Sequence, residues 1–402
     1  MQKMIGFIGL LLISYYSQAQ YGCTDPWATN YNPSATINDG SCVYPPTTAN
    51  AQYITDLPTV SETSGLAWHQ NQLWTHDDSG GPASIFLLDT ATGKVLKTVI
   101  IDNYPNIDWE DITTDSNYLY LAETGNNNGT RTDLKILKIA FADIGNDSIV
   151  HVQAQAILFN YADQTSFTPN TATNFDAEAL TSMGDSLYLF SKNWGDHHTK
   201  LYLLPKVPGN YTVSPHATYH VGCLITGACS APNKKEITLI GYTNGLPPNS
   251  MLWVLNDFPD DSVFNGNKRK ISLPYSSVWQ TEGITYTTAS SYFISTERIN
   301  QLSLPAKLFR LQQTWNQPSS TPLHTVSSIK IYPNPGTHSL TIFGSITGLQ
   351  YTIIQASGAV LMQGKFNSDH NEINIRSLAK GSYIIRIWDK EQVYLQEKIV
   401  KE

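Results

Sequence analysis

Charge is scarce in this chain. Of 402 residues only 14% are Asp, Glu, Lys or Arg, below the quarter usual in soluble domains. The 25 basic residues are outnumbered by 33 acidic ones, for a net charge of -8. That balance, with no sizeable basic cluster, sets nucleic acid aside as a partner, because phosphates need a positive surface. Long helical periodicities are also missing, which excludes a helical bundle. Beyond the N-terminus no apolar run is long enough to cross a bilayer as a helix, so a mature chain with no transmembrane segment is expected. Cysteine is limited to four residues.

What the chain does hold is Tyr, Trp, Asn, Thr and Ser in quantity, the composition of an exported all-β protein. Residues 1–19 open with Lys3, run through the apolar stretch Ile5 to Ile13 and close on Ser17-Gln18-Ala19. These are the parts of a signal peptide, with cleavage expected after Ala19 and passage through the periplasm implied. Gln20-Tyr21-Gly22 lacks the aliphatic and small residues that precede a lipidated cysteine, so Cys23 is read as unmodified.

Residues 20–45 form a small module bounded by Cys23 and Cys42 and dense in turn-forming Asp, Asn, Pro and Gly. Too short to bury a core, it is held by a Cys23–Cys42 disulfide, worth roughly 3 kcal/mol for a loop of about 20 residues in the chain-entropy model. It resembles a short Cys-bounded repeat of secreted Bacteroidetes proteins. Asp25, Asn30, Asn32 and Asp39 are either calcium oxygens or ordinary turn residues. Residues 46–50 follow as a stiff linker.

Between residues 51 and 312 a triplet recurs: Ser64-Gly65-Leu66, Glu110-Asp111-Ile112, Glu178-Ala179-Leu180, Thr226-Gly227-Ala228 and Glu282-Gly283-Ile284. The first members are 46, 68, 48 and 56 residues apart, the length of a four-stranded blade with its loops. After each triplet come short alternating strands separated by turns. The expectation is an all-β chain whose main unit is a five-bladed β-propeller, with six blades as the alternative. The last blade has only three strands of its own, so AQYITDL at residues 51–57 is expected to complete it and close the ring. Proximity favours a second disulfide between Cys223 and Cys229.

Residues 313–328 are polar and rich in Pro and Ser, a linker by composition. Residues 329–402 then read as a small β-sandwich of short strands. Tyr332-Pro333-Asn334-Pro335, Leu378-Ala379-Lys380-Gly381-Ser382-Tyr383 and the closing Lys398-Ile399-Val400-Lys401 resemble the type A C-terminal sorting domain of the Bacteroidetes type IX secretion system. The resemblance implies the type IX machinery as a partner, with delivery to the cell surface or the medium.

Inner strands of a propeller line its channel, so Ser64, Glu110, Glu178, Thr226 and Glu282 are expected as a ring at one mouth. Carboxylates about 5 Å apart repel by roughly 3 kcal/mol at an effective dielectric of 20, and an all-oxygen set without Cys or His selects a hard ion such as Ca²⁺. The second strands return to the same face. They should bring there His76 to Gly80, Glu123 to Asn126, Ser191 to Trp194, Tyr242 to Asn244 and Thr296 to Arg298. In such a site Asp77 or Asp78 would serve as general base, and Lys192 and Arg298 would hold an anion.

The order Ser, Glu, Glu, Thr, Glu resembles the calcium-activated nucleotidase (apyrase) family, which implies a five-bladed fold around a central Ca²⁺. Asp77-Asp78-Ser79-Gly80 resembles that family's Asp-Asp-Arg-Thr-Gly turn but lacks its arginine. Two function classes follow. The first is a calcium-centred surface platform for an unidentified small-molecule or glycan ligand. The second is a calcium-dependent hydrolase of a phosphate-bearing or other anionic substrate.

Overall fold

The computed structural model describes residues 19–245, 248–274, 280–299, 304–315, 329–344, 346–355, 360–388 and 393–402. The signal peptide and most of the 313–328 linker lie outside them. The chain divides into two compact units, 1–313 and 314–402.

The larger unit contains five mainly antiparallel sheets, each opening on a strand that carries one of the triplets. These first strands are Thr63–His69, Trp109–Thr114, Ala177–Met183, Leu224–Ser230 and Thr281–Thr288. Each packs against the next, and the fifth packs against the first, which makes the arrangement propeller-like. They are buried almost end to end, whereas outer strands such as Asn267–Leu273 alternate between buried and exposed. Burial on both faces explains why inner strands read as small and apolar runs and outer ones as alternation.

Apolar cores fill the spaces between neighbouring sheets. Trp74, Ile85 and Val99 of the first meet Trp109, Leu119 and Ile139 of the second. Tyr120 and Ile136 meet Leu189 and Tyr202 across the second and third. The fifth sheet is completed by Gln52–Asp56, antiparallel to Lys307–Gln312, and Leu57 and Val60 just beyond it enter the core shared with the first sheet. The strand sought at 51–57 is therefore in place.

Three outer pairings were not foreseen. Ile149–Val152 adds in parallel to the first sheet, Gly209–Val213 to the second and Thr47–Thr48, inside the expected linker, to the fourth. The cysteine-bounded module is therefore part of the larger unit, packed on its fourth sheet. Asn38 Nδ2 donates to Asp257 Oδ2 and to Asn267 Oδ1, both at 2.9 Å.

The Cys23–Cys42 disulfide is present, but Cys223 and Cys229 are free and buried, which corrects the expected second bridge. Cys229 lies in the inner strand Leu224–Ser230 and Cys223 just precedes it. Six residues of extended chain separate the Cα atoms by about 20 Å, far beyond the roughly 4.4–6.8 Å a disulfide spans. In the module, Asp25, Asn32 and Asp39 each accept the backbone N–H two residues on, as turn residues do, and Asn30 Oδ1 accepts the Val43 N–H across the module. Turn chemistry accounts for the three acceptors of the first kind, and a cross-module clasp for Asn30, which also donates to the Ser41 carbonyl.

The smaller unit is a sandwich of a three-stranded and a four-stranded sheet around Leu340, Ile342, Ile353, Phe366, Ile385 and Ile399. Two of its sequence motifs meet. The Asn334 side chain donates to the Lys398 carbonyl (2.8 Å) and accepts the Val400 N–H (2.9 Å), pinning the last strand to the first loop.

Candidate functional site

In all five inner strands the register with the second strand breaks at the head of the triplet. The irregularities fall between Thr63 and Leu66, at Glu110-Asp111 opposite Ala122, between Ala177 and Ala179, between Ile225 and Gly227, and between Thr281 and Ile284. A β-bulge leaves a residue unpaired and re-aims its side chain. Ser64, Glu110, Glu178, Thr226 and Glu282 are those residues, all buried.

Bulges also free backbone N–H groups, and one carboxylate collects three of them. Asp111, 0% exposed, accepts the Ile112 N–H on Oδ1 at 2.8 Å and those of Leu180 and Ala228 on Oδ2 at 2.8 and 3.1 Å. The donors are the third members of three different triplets. Gly65 completes the fit, since a Cβ there would stand 2.8 Å from Asp111 Oδ1. Burial pushes the Asp111 carboxyl well above the usual carboxylate range, against three amide donors that favour its charged form.

Beside this tie lies a nest of acids. Ligand-type oxygens of Asp78, Asp108 and Glu110 lie within 4.8 Å of one another, and so do those of Glu110, Asp176 and Glu178. At an effective dielectric near 20, each charged pair at that separation repels by about 3 kcal/mol. Burial first, and then neighbouring carboxylates, push Glu110 well above its ordinary range, Asp78 up to about 8 and Asp108 up to about 6. Glu282 is pushed up by burial and by Glu297, while Lys192 and the Thr226 hydroxyl oppose the shift. Thr226 also donates to the Thr281 carbonyl at 2.6 Å.

The partners divide the nest. Asp176 accepts the Asn126 N–H on Oδ1 (2.7 Å) and the Trp194 Nε1–H on Oδ2 (2.9 Å). Glu178 Oε2 accepts from Lys192 Nζ at 2.5 Å, both side chains being over nine-tenths buried. Burial works against the Lys192 charge, yet the surrounding carboxylates, Glu178 foremost, hold the ammonium well above the usual lysine range. Glu123 pairs with Arg131 at 2.7 Å and accepts the N–H groups of Ile107 and Asp108. No hydrogen-bond donor reaches the side-chain oxygens of Asp78, Asp108 or Glu110 among the described residues.

Of the residues singled out in the sequence, Glu110, Glu178, Asp78 and Lys192 come together, while Glu282 lies outside the two acid triads. Asp77 Oδ1 accepts the Glu62 N–H at 3.1 Å, a turn contact. Arg298 stands at the surface, 4.0 Å from Glu62, and Lys192 is committed to Glu178. Asp108 and Asp176 were missed. Both stand two residues before a triplet glutamate, an Asp-x-Glu spacing that appears in the second and third inner strands.

Residues 330–402 match the family model of the secretion system C-terminal sorting domain. This segment is a sorting domain. The chain is accordingly exported by the type IX system to the cell surface or the medium, and among the described residues no helix is long and apolar enough to cross a membrane. No curated protein matches the chain.

Among solved structures it is similar to PQQ-bound aldose sugar dehydrogenase from Streptomyces coelicolor, at 12% identity and a TM-score of 0.41 over 67% of this chain and 99% of that one. It is also similar to PorZ, a surface component of the type IX secretion system of Porphyromonas gingivalis, at 13% identity and a TM-score of 0.33 over 94% of this chain and 49% of that one. A third is the exo-β-1,3-galactanase of Phanerochaete chrysosporium, at 10% identity and a TM-score of 0.42 over 88% and 99% of the two chains. At these scores the likenesses carry no functional argument.

Proposed function

We propose that the larger unit is a five-bladed propeller centred on a Ca²⁺ ion, exported by the type IX system as a binding platform for a small-molecule or glycan ligand. The observation that carries this reading is Glu110. Its carboxylate is 4% exposed, lies within 4.8 Å of two pairs of other acids and receives no hydrogen bond among the described residues. A charge so placed needs a counter-ion or a proton, and an all-oxygen environment suits a hard cation. The commitment of Lys192, the buried cation at the mouth, to Glu178 favours binding over phosphate hydrolysis.

The hydrolase reading rests on Asp78, half-buried at the rim and pushed up to about 8, a value suited to a general base near neutrality. Calcium titration of the purified chain tests the metal. At 100 times its dissociation constant the ion should stabilise the larger unit by about 2.7 kcal/mol. No heat of binding and no change in melting temperature between calcium and chelator would remove calcium from the reading. A screen of nucleotides, phosphoesters and glycans, with and without calcium, then separates hydrolysis from binding.

A further inference from the structure

The two acid triads share Glu110 but differ in every other respect. In the inner one both Asp176 oxygens already hold donors, the Asn126 N–H and the Trp194 indole N–H, and Glu178 holds the Lys192 ammonium. Lys192 is itself enclosed, its Nζ 4.9 Å from the Trp194 ring and 5.6 Å from the Tyr242 ring. That half of the nest contains its own cation, tied to the second strand of the third sheet.

The outer triad has none. Three carboxylates, Asp78, Asp108 and Glu110, face one another without a donor, and Asp78 Oδ1 is buried with nothing to accept. The Asn106 amide holds the Asp77 and Asp78 carbonyls and leaves its own Oδ1 buried and unpaired. Across the site Gly125 leaves room for the acids to converge, since a Cβ there would stand 2.2 Å from Glu110 Oε1 and 2.4 Å from Asp108 Oδ2.

The geometry points to a divalent-cation site made by Asp78, Asp108 and Glu110 at the mouth, off to one side of the ring of triplet heads and sharing Glu110 with it, with Lys192 as the tethered cation of the inner triad. Three carboxylates offer six oxygens, within the six to eight that Ca²⁺ takes, and water can fill the remainder from the half-buried rim. Mg²⁺ demands a near-ideal octahedron at shorter distances and fits a flexible carboxylate set less well, so calcium is the expected ion. The inference rests on the calcium reading above and relocates the ion.

Isothermal titration of the full chain with CaCl₂ tests it, using isosteric variants. Wild type should take up one ion. Asp108→Asn should weaken that uptake at least tenfold, and Gly125→Ala, which keeps every charge but fills the converging space, should do likewise. Glu282→Gln should stay within about threefold of wild type. Lys192→Gln, by freeing Glu178, should raise the stoichiometry from one ion to two.

A near-ultraviolet circular dichroism spectrum matching wild type shows that each variant is folded. Loss of uptake in Glu282→Gln with Asp108→Asn unaffected would overturn the outer site and return the ion to the ring. A single ion in a folded Lys192→Gln would overturn the role given to the lysine. A wild type that takes up no calcium would overturn the calcium reading and this site with it, a result distinct from either of the others.

Discussion

Replacing Asp111 with alanine removes the acceptor for the N–H groups of Ile112, Leu180 and Ala228, which come from three different sheets. All three N–H groups lie on fully or almost fully buried residues, so water cannot take the place of the carboxylate. Leaving a buried donor unpaired costs about 1–3 kcal/mol, so three cost about 3–9 kcal/mol before relaxation. Against this stands the relief of no longer burying a carboxyl group, itself several kcal/mol. A net loss of about 3 kcal/mol is the result, a large part of the 5–15 kcal/mol typical of a whole domain.

Asp111→Asn keeps one acceptor oxygen but turns an NH₂ group toward an N–H, so its loss should be intermediate. Urea unfolding followed by tryptophan fluorescence, with Trp109 among the buried reporters, measures the series. Run in excess chelator, the measurement isolates this tie from any bound ion. Stability within about 0.5 kcal/mol of wild type in Asp111→Ala would refute the account of Asp111 as the bond between inner strands.

Three other outcomes follow from the same structure. In chelator, Asp78, pushed up to about 8, favours its protonated form in the folded chain, so its contribution is complete near pH 4 and is lost as pH rises through 8. His76, buried and lowered to about 4, adds stability up to its ordinary value near 6.5, so the clean window is pH 6.5 to 8.5. There the melting temperature should fall in chelator and hold level in calcium; a flat chelator profile contradicts the nest. Deleting residues 52–56 uncovers the edge of Lys307–Gln312 and should cost several kcal/mol with aggregation on light scattering, whereas an unchanged melting temperature would show that the fifth sheet needs no closure. Deleting residues 330–402 should hold the protein in the periplasm of a type IX host, and normal delivery of the truncated form on fractionation would contradict the sorting assignment.

The strands were legible because alternation and turn residues mark them without help from tertiary context, and the five triplets were legible because repetition exposes equivalent positions. What the triplets do was not. A bulge is a property of pairing between two strands, and one strand's sequence shows only that a small or acidic residue recurs. The added strands at 47–48, 149–152 and 209–213 escaped because each joins its sheet in parallel and from a distant part of the chain, so no local turn announces it. The cysteines misled for the opposite reason: nearness in sequence suggested a bond that an extended strand between them forbids.

The site shows the same boundary between pattern and environment. Equivalence among triplets selected one residue per sheet, and so proposed a symmetric ring. The structure is asymmetric because the place two residues before the head holds Asp108 and Asp176 just ahead of the second and third inner strands, doubling the acid there, while the fourth and fifth triplets have Leu224 and Gln280 and the first has Glu62, half-exposed beside Arg298. Lys192 was read as a grip for an anion because a lysine near a mouth usually faces solvent. Burial reversed its role. At 2.5 Å from Glu178 and enclosed by Trp194 and Tyr242, its charge is spent inside the protein, and Asp78, Asp108 and Glu110 are left without a hydrogen-bond donor among the described residues.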